Sequence, residues 1–159
     1  MIRLATLALL LLLAAFAQTD HTDIASQKTE ILTMKMNAGI ITPNIQETKQ
    51  FYVENLGFKV IWEAEWFILL RTPEGDSDIS FLLPGLESQA PIFQKPFRGE
   101  GLFLTVEVDD VDAWYGKFKD SGVEVAVQIR DEPWGDRHFA VIDPNGIGID
   151  FVTHTPPEK

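Results

Sequence analysis

One pattern occurs twice in this 159-residue chain, and a sequence that writes the same order of elements twice has few ways to fold. In the first copy, 37–41 is a short strand closed by Pro43, which cannot donate to a sheet ladder. Asn44 with Glu47 three residues on has the form of a capping box. The helix it opens carries Phe51, Tyr52 and Leu56 and stops at Gly57, a residue suited to the left-handed position after a helix. Segments 58–62 and 66–71 then read as strands, Thr72-Pro73-Glu74-Gly75 as a turn, and 79–83 as a further strand before Pro84-Gly85.

The second copy follows the same plan. Residues 102–108 form a strand, Asp110 caps a helix carrying Val111, Trp114, Tyr115 and Phe118, and Gly122 ends it. Trp114 shares a helix face with Val111 and Phe118, which places it in the core. Strands follow at 123–127 and 138–142, and Asp143-Pro144-Asn145-Gly146 turns the chain into 147–152. The helix stops Gly57 and Gly122 lie 65 residues apart. The expected fold class is therefore α+β, two βαβββ modules forming an open curved sheet. Module one spans 35–84, a connector with Ile92, Phe93 and Phe97 spans 85–99, and module two spans 100–154, leaving 155–159 as a tail.

Upstream of the repeat the chain reads as an address. Arg3 precedes an apolar run from Leu4 to Phe16, shorter than the ~20 residues that span a bilayer, and Ala15-Phe16-Ala17 has the small-x-small form of a signal-peptidase site. Residues 1–17 are expected to be a signal peptide, so the mature protein would be exported, periplasmic or secreted, with no membrane attachment after cleavage. Residues 18–34 are polar and read as a flexible leader, in which His21 is a solvated side chain. The net charge is −11. An acidic excess on that scale argues against nucleic acid as a partner, because phosphate contacts need Lys and Arg. The chain has no cysteine, which removes disulfides, thiolate nucleophiles and Cys-ligated metals.

Three segments carry a family resemblance. Pro43-Asn44-Ile45 through Phe51-Tyr52 to Leu56-Gly57-Phe58 resembles the opening module of the vicinal oxygen chelate superfamily. Val106-Glu107-Val108-Asp109-Asp110-Val111-Asp112 is similar to its second-module entry. Trp134-Gly135-Asp136-Arg137-His138-Phe139 through Asp143-Pro144-Asn145-Gly146 resembles the closing motif of the glyoxalase and bleomycin-resistance-like branch. The resemblance implies strands curled into a cup with the helices outside. In many members His, Glu or Gln from the first and last strands of each module hold a divalent metal there; in others, such as the bleomycin-binding proteins, the cup works without one. Cups built from one chain or by exchange between chains both occur in the superfamily, which makes a homodimer one expected state.

Carried over position by position, the resemblance puts the four ligand positions at Asn37, Ser80, Phe103 and Asp150. Only Asp150 is a good donor for a transition metal, and a catalytic site needs about three imidazole or carboxylate ligands. A displaced set, Glu107, His138 and Asp150, is the alternative: Glu107 shares a strand face with Phe103 and His138 lies on a neighbouring strand. The expectation is a cup without a cofactor, lined by Asn37, Trp66, Phe103, Glu107, Trp134, His138 and Asp150, that binds a small cationic or aromatic molecule. The alternative function is a metal-dependent lyase or isomerase of glyoxalase type; a third is an interaction module with a plugged cup. No catalytic residue is assigned. His138 beside Asp136 has the makings of a general acid or base but no neighbouring nucleophile. Asp109, Asp110 and Asp112 suit a helix N-terminus, Gly146-Ile147-Gly148 matches no phosphate-binding fingerprint, and His154 is expected in a frayed C-terminal end.

Overall fold

The computed structural model describes residues 34–154. The expected signal peptide, the leader up to residue 33 and the 155–159 tail lie outside the described residues. Within them the repeat is fully expressed. Module one comprises β1 (Ala38–Ile41), α1 (Ile45–Leu56), β2 (Lys59–Ala64), β3 (Phe67–Arg71) and β4 (Asp78–Leu82); module two comprises β5 (Phe103–Glu107), α2 (Val111–Ser121), β6 (Val125–Asp131), β7 (Asp136–Ile142) and β8 (Gly148–His154). Each module is its own four-stranded sheet, ordered β1-β4-β3-β2 and β5-β8-β7-β6. The first strand pairs in parallel with the last, and the other pairs are antiparallel. The strands at 123–127 and 147–152 are shifted towards the C-terminus in the structure, and β8 runs through His154, which is therefore no frayed end.

Each helix covers one face of its sheet, because alternation along a strand sends every second side chain to that face. Under α1 lie Ile68, Leu70, Ile79 and Phe81, all buried, with the Tyr52 and Phe81 rings 5.2 Å apart. Under α2 lie Phe139, Val141, Ile149 and Phe151, with Phe139 and Phe151 stacked at 5.0 Å and Trp114 stacked on Phe151 at 5.3 Å. Burying each such side chain is worth about 1.5–3 kcal/mol, so the helix-facing sides hold the fold together and the opposite faces are free for other work.

Both helices end as the sequence requires, with Gly57 and Gly122 in the left-handed region at φ 76° and 78°. At the start of α2 the Asp110 carboxylate accepts from the Ala113 N–H at 2.9 Å. The capping box expected at Asn44 does not form: the side chain caps nothing within α1, and its Nδ2 donates instead to the Pro144 carbonyl at 3.2 Å. That change of partner belongs to a larger feature, the seam between the modules. The 143–146 turn of module two sits against the start of α1. The Asp143 side chain, 4% exposed, accepts from the Asn145 and Ile147 N–H groups and from the Tyr52 hydroxyl. Asn145 reaches Thr42 and Thr48. Gly99, at the end of the connector, and Gly146 both have positive φ, and a Cβ on Gly146 would lie 3.5 Å from the Gly99 Cα. Burial and the Asp143 charge push the Tyr52 phenol far above its ordinary range, so it is a permanent donor here.

The outer strands β2 and β6 are both interrupted. The ladder slips between Val60 and Trp62 in β2, and twice between Val125 and Arg130 in β6.

Candidate functional site

The helix-free faces follow from the register. In module one β1 presents Gly39 and Ile41, β4 Asp78, Ser80 and Leu82, β3 Phe67 and Leu69, and β2, past its bulge, Trp62 opposite Leu69. Trp62, Trp66 and Phe67 form a trio with ring centroids 5.3–5.9 Å apart. Trp62 is 49% and Trp66 39% exposed, so this is an accessible aromatic surface and not core filler. Asn37 lies just before β1, exposed, on the module-one side and away from the other expected site residues of module two.

In module two the same face is polar. It carries Phe103, Thr105 and Glu107 on β5, Asp150, Val152 and His154 on β8, and Asp136, His138 and Ala140 on β7. His138 stands diagonally across from Asp150, and its Nδ1 lies 2.7 Å from Asp150 Oδ1 while its Nε2 lies 3.0 Å from Glu132 Oε1. Glu132 is further held by Arg130 at 2.6 Å. Beside this chain runs a second: Glu107 lies 3.6 Å from His154 Nε2, His154 Nδ1 lies 2.7 Å from Asp136 Oδ1, and the Trp134 indole N–H donates to Asp136 Oδ2 at 2.9 Å. Phe103 and Trp134 remain open to solvent, 68% and 65% exposed.

These contacts set the charge states. Desolvation pulls the His138 pKa down, but hydrogen bonds to Asp150 and Glu132, with their charges, outweigh it and raise it above the ordinary value. His154 is raised mainly by its hydrogen bond to Asp136. Glu132 loses some solvation, which acts to raise it, yet the bonds from His138 and Arg130 hold it below the usual carboxylate range. With a carboxylate at each ring nitrogen, the His138 imidazole has both nitrogens engaged within the protein.

Of the displaced ligand set, His138 and Asp150 come together as a hydrogen-bonded pair, while Glu107 turns to His154. Among the described residues no group of three or more His, Asp or Glu side chains is placed to hold a metal ion. Nor do the inherited positions fit one, since Phe103 and Ser80 bring a ring and a hydroxyl where imidazole and carboxylate are needed.

Sequence reasoning named His138 and Asp150, which the structure brings together, but missed Glu132 at the other nitrogen of His138 and the separate pairing of His154 with Asp136. Two signals for these were present. Asp136 and His138 alternate onto one face, and the hairpin closed at 143–146 brings 138 close to 150–152. A cleft of about 800 Å³ opens elsewhere: it lies on the helix side between the modules and shares only Glu107 with the expected site. Among the described residues no helix is long and apolar enough to cross a membrane.

Comparison with known proteins agrees with this architecture. A bleomycin resistance protein from Geobacillus stearothermophilus is 26% identical over 115 residues, covering 68% of this chain and 87% of that protein. Among solved structures, a glyoxalase/bleomycin resistance protein/dioxygenase from Nocardioides superposes with a TM-score of 0.65 at 17% identity, covering 84% of this chain and 92% of the other. TnmS3, an antibiotic binding protein from Streptomyces sp. CB03234, gives a TM-score of 0.62 at 22% identity over 78% of this chain and 99% of its own. Residues 32–151, which take in both modules and the connector, match one family throughout, and the chain belongs to the Glyoxalase/Bleomycin resistance protein/Dioxygenase superfamily.

Proposed function

We propose that this protein binds a small aromatic or cationic organic molecule on the helix-free faces of its sheets, without a resident metal, in the manner of a bleomycin resistance protein. The observation that carries the reading is the exposed Trp62–Trp66–Phe67 surface. Two half-exposed indoles held edge to face offer flat apolar area at little entropic cost. The polar face of module two supplies the complement. Asp150, Glu132, Asp136 and Glu107 are acceptors for a ligand's N–H or ammonium groups, oriented by His138 and His154. Binding and sequestration need affinity alone, which suits a site whose histidines are locked as ion pairs.

Three further readings go with this one. The mature protein starts after Ala17 and works outside the cytoplasm; it has no nucleic-acid partner; and two copies associate so that an aromatic face and a polar face serve one ligand. Intact mass of protein recovered from its own host checks the first, and light scattering of the purified protein the last.

The central test is calorimetric titration with bleomycin and with a panel of aromatic cations, alongside Trp66→Ala. Micromolar binding that weakens at least tenfold in the variant, as truncation of a buried aromatic anchor predicts, supports the reading. No binding anywhere in the panel would sink it. Near-stoichiometric Ni²⁺, Zn²⁺, Mn²⁺ or Fe²⁺ that disappears with Asp150→Ala would favour the glyoxalase-type enzyme instead.

A further inference from the structure

The cleft of about 800 Å³ between the modules is not part of the surface just described. Its walls come from the helix side: Ala38 and Phe58 from module one, Leu104, Val106, Val108 and Trp114 from module two, all only partly buried. The volume is that of a pocket for a drug-sized molecule. Its lining also takes in two segments rich in exposed residues, the 72–78 turn and the 107–110 entry to α2, which form its solvent-facing rim.

That rim has one sign of charge. Glu74, Asp76, Asp78, Glu107, Asp109 and Asp110 border the cleft, and no Lys, Arg or His lines it. Asp78 is bound by Arg71, and Glu107 faces His154. Among the described residues Glu74, Asp76, Asp109 and Asp110 have no cationic partner: Asp76 takes a hydrogen bond from the Thr72 hydroxyl, and Asp110 is spent on the Ala113 N–H. An apolar chamber with an uncompensated anionic mouth selects a molecule with an apolar body and a positive end, because the body gains by leaving water while the charge stays at the rim.

The protein supplies a small precedent. The Lys117 ammonium, which is not among the lining residues, lies 4.6 Å from the centroid of the Trp114 ring, the aromatic wall of the same cleft. It also donates to the Asn55 carbonyl at 2.6 Å, bridging the two helices at that wall. The ring thus already receives an alkylammonium from this chain, and a cation over an indole is a favourable arrangement.

We infer that the inter-module cleft is a second small-molecule site, for a lipophilic amine or quaternary ammonium whose apolar part packs against Val106, Phe58 and Trp114 and whose charge sits between Glu74 and Asp109. It is separate from the aromatic face of module one, so one copy of the protein has two sites on opposite sides of its sheets.

The test uses benzyltriethylammonium as the probe, titrated into the full chain by calorimetry with ligand-observed NMR. The comparison set is Glu74→Gln/Asp109→Asn, Val106→Trp and Trp66→Ala. The exposed charge pair leaves the fold intact, and each carboxylate removed should weaken binding roughly fivefold, while Val106→Trp should abolish it by filling the chamber. Trp66→Ala should leave it unchanged. Should Val106→Trp fail to fold, the charge pair still decides. Binding lost in Trp66→Ala but kept in the charge pair would place the cation on the aromatic face and overturn the inference, as would no binding at millimolar probe. Either result leaves the bleomycin titration free to succeed or fail by itself.

Discussion

The two β-turns that each module sends towards its neighbour are built alike and used differently. In module one the Thr72 N–H donates to Ser77 and Gly75 donates back to Thr72; in module two Asp143 donates to Ile147 and Gly146 donates back to Asp143. Gly75 and Gly146 have φ 86° and 81°. The inner hydrogen bond is the same in both, the module-one loop is one residue longer, and the first side chain differs. Asp143 points inward, accepts four hydrogen bonds and locks onto Tyr52, Asn145 and Ile147. Thr72 exchanges its hydroxyl only with Asp76 and Ser77, neighbours in its own turn. One seam is therefore sealed, and the other, where four rim carboxylates find no cation, stands open as a cleft. Repetition fixes architecture; single side chains decide whether a junction carries stability or leaves room for a ligand.

The contrast can be broken most forcefully at the sealed seam. Asp143→Ala strands the buried Tyr52 hydroxyl and the Ile147 N–H and should cost about 3 kcal/mol, since orphaned buried donors lose their full hydration; urea denaturation reads it. Tyr52→Phe removes one donor and leaves Asp143 its backbone partners, so the cost falls to about 1 kcal/mol.

A second comparison sets the aromatic face of module one against the ion-paired face of module two. His138→Gln should flatten the pH dependence of stability. The folded pKa of His138 is raised, so its contribution is complete below the unfolded value near 6.5 and drains away as pH rises through the folded value. The charged groups facing it are Asp150, Glu132 and, through Glu132, Arg130. The wild-type denaturation midpoint should fall as pH rises from about 6.5 through the raised folded value, and the variant's should move less; equal slopes would show that His138 is not the titrating group. The smallest effect belongs to the open seam. Thr72→Ala touches only an exposed turn and should change stability by no more than about 0.5 kcal/mol, and a loss comparable to that of Asp143→Ala would mean the cleft closes in solution.

Nearly all of the architecture was legible in the residues. Gly57 and Gly122, Asp110, and the alternation under each helix specify elements through local chemistry alone. The Asn44 cap was misread because its strongest partner, the Pro144 carbonyl, is 100 residues away in sequence, and local capping rules cannot weigh such a competitor. The site was half legible. His138 and Asp150 follow from hairpin pairing, but Glu132 reaches His138 from just past the end of β6, whose ladder slips twice between Val125 and Arg130, and counting by twos loses its phase at each slip. The cleft was invisible for a different reason: it results from a contact that module one does not make.

The slips in β2 and β6 have a bearing on how the molecule behaves at high concentration. Both are outermost strands with an unpaired row of amides and carbonyls, and β2 also exposes Val60, Ile61 and Trp62. A straight, apolar outer strand is a template on which another chain can continue the sheet. The extra residue at Ile61 interrupts that row, and the ion pair of Lys49 with Glu63 at 2.7 Å puts charge beside it. The irregularity that turns Trp62 onto the helix-free face opposite Leu69 also breaks the row on which a second copy would have to pair, so both rest on the same added residue.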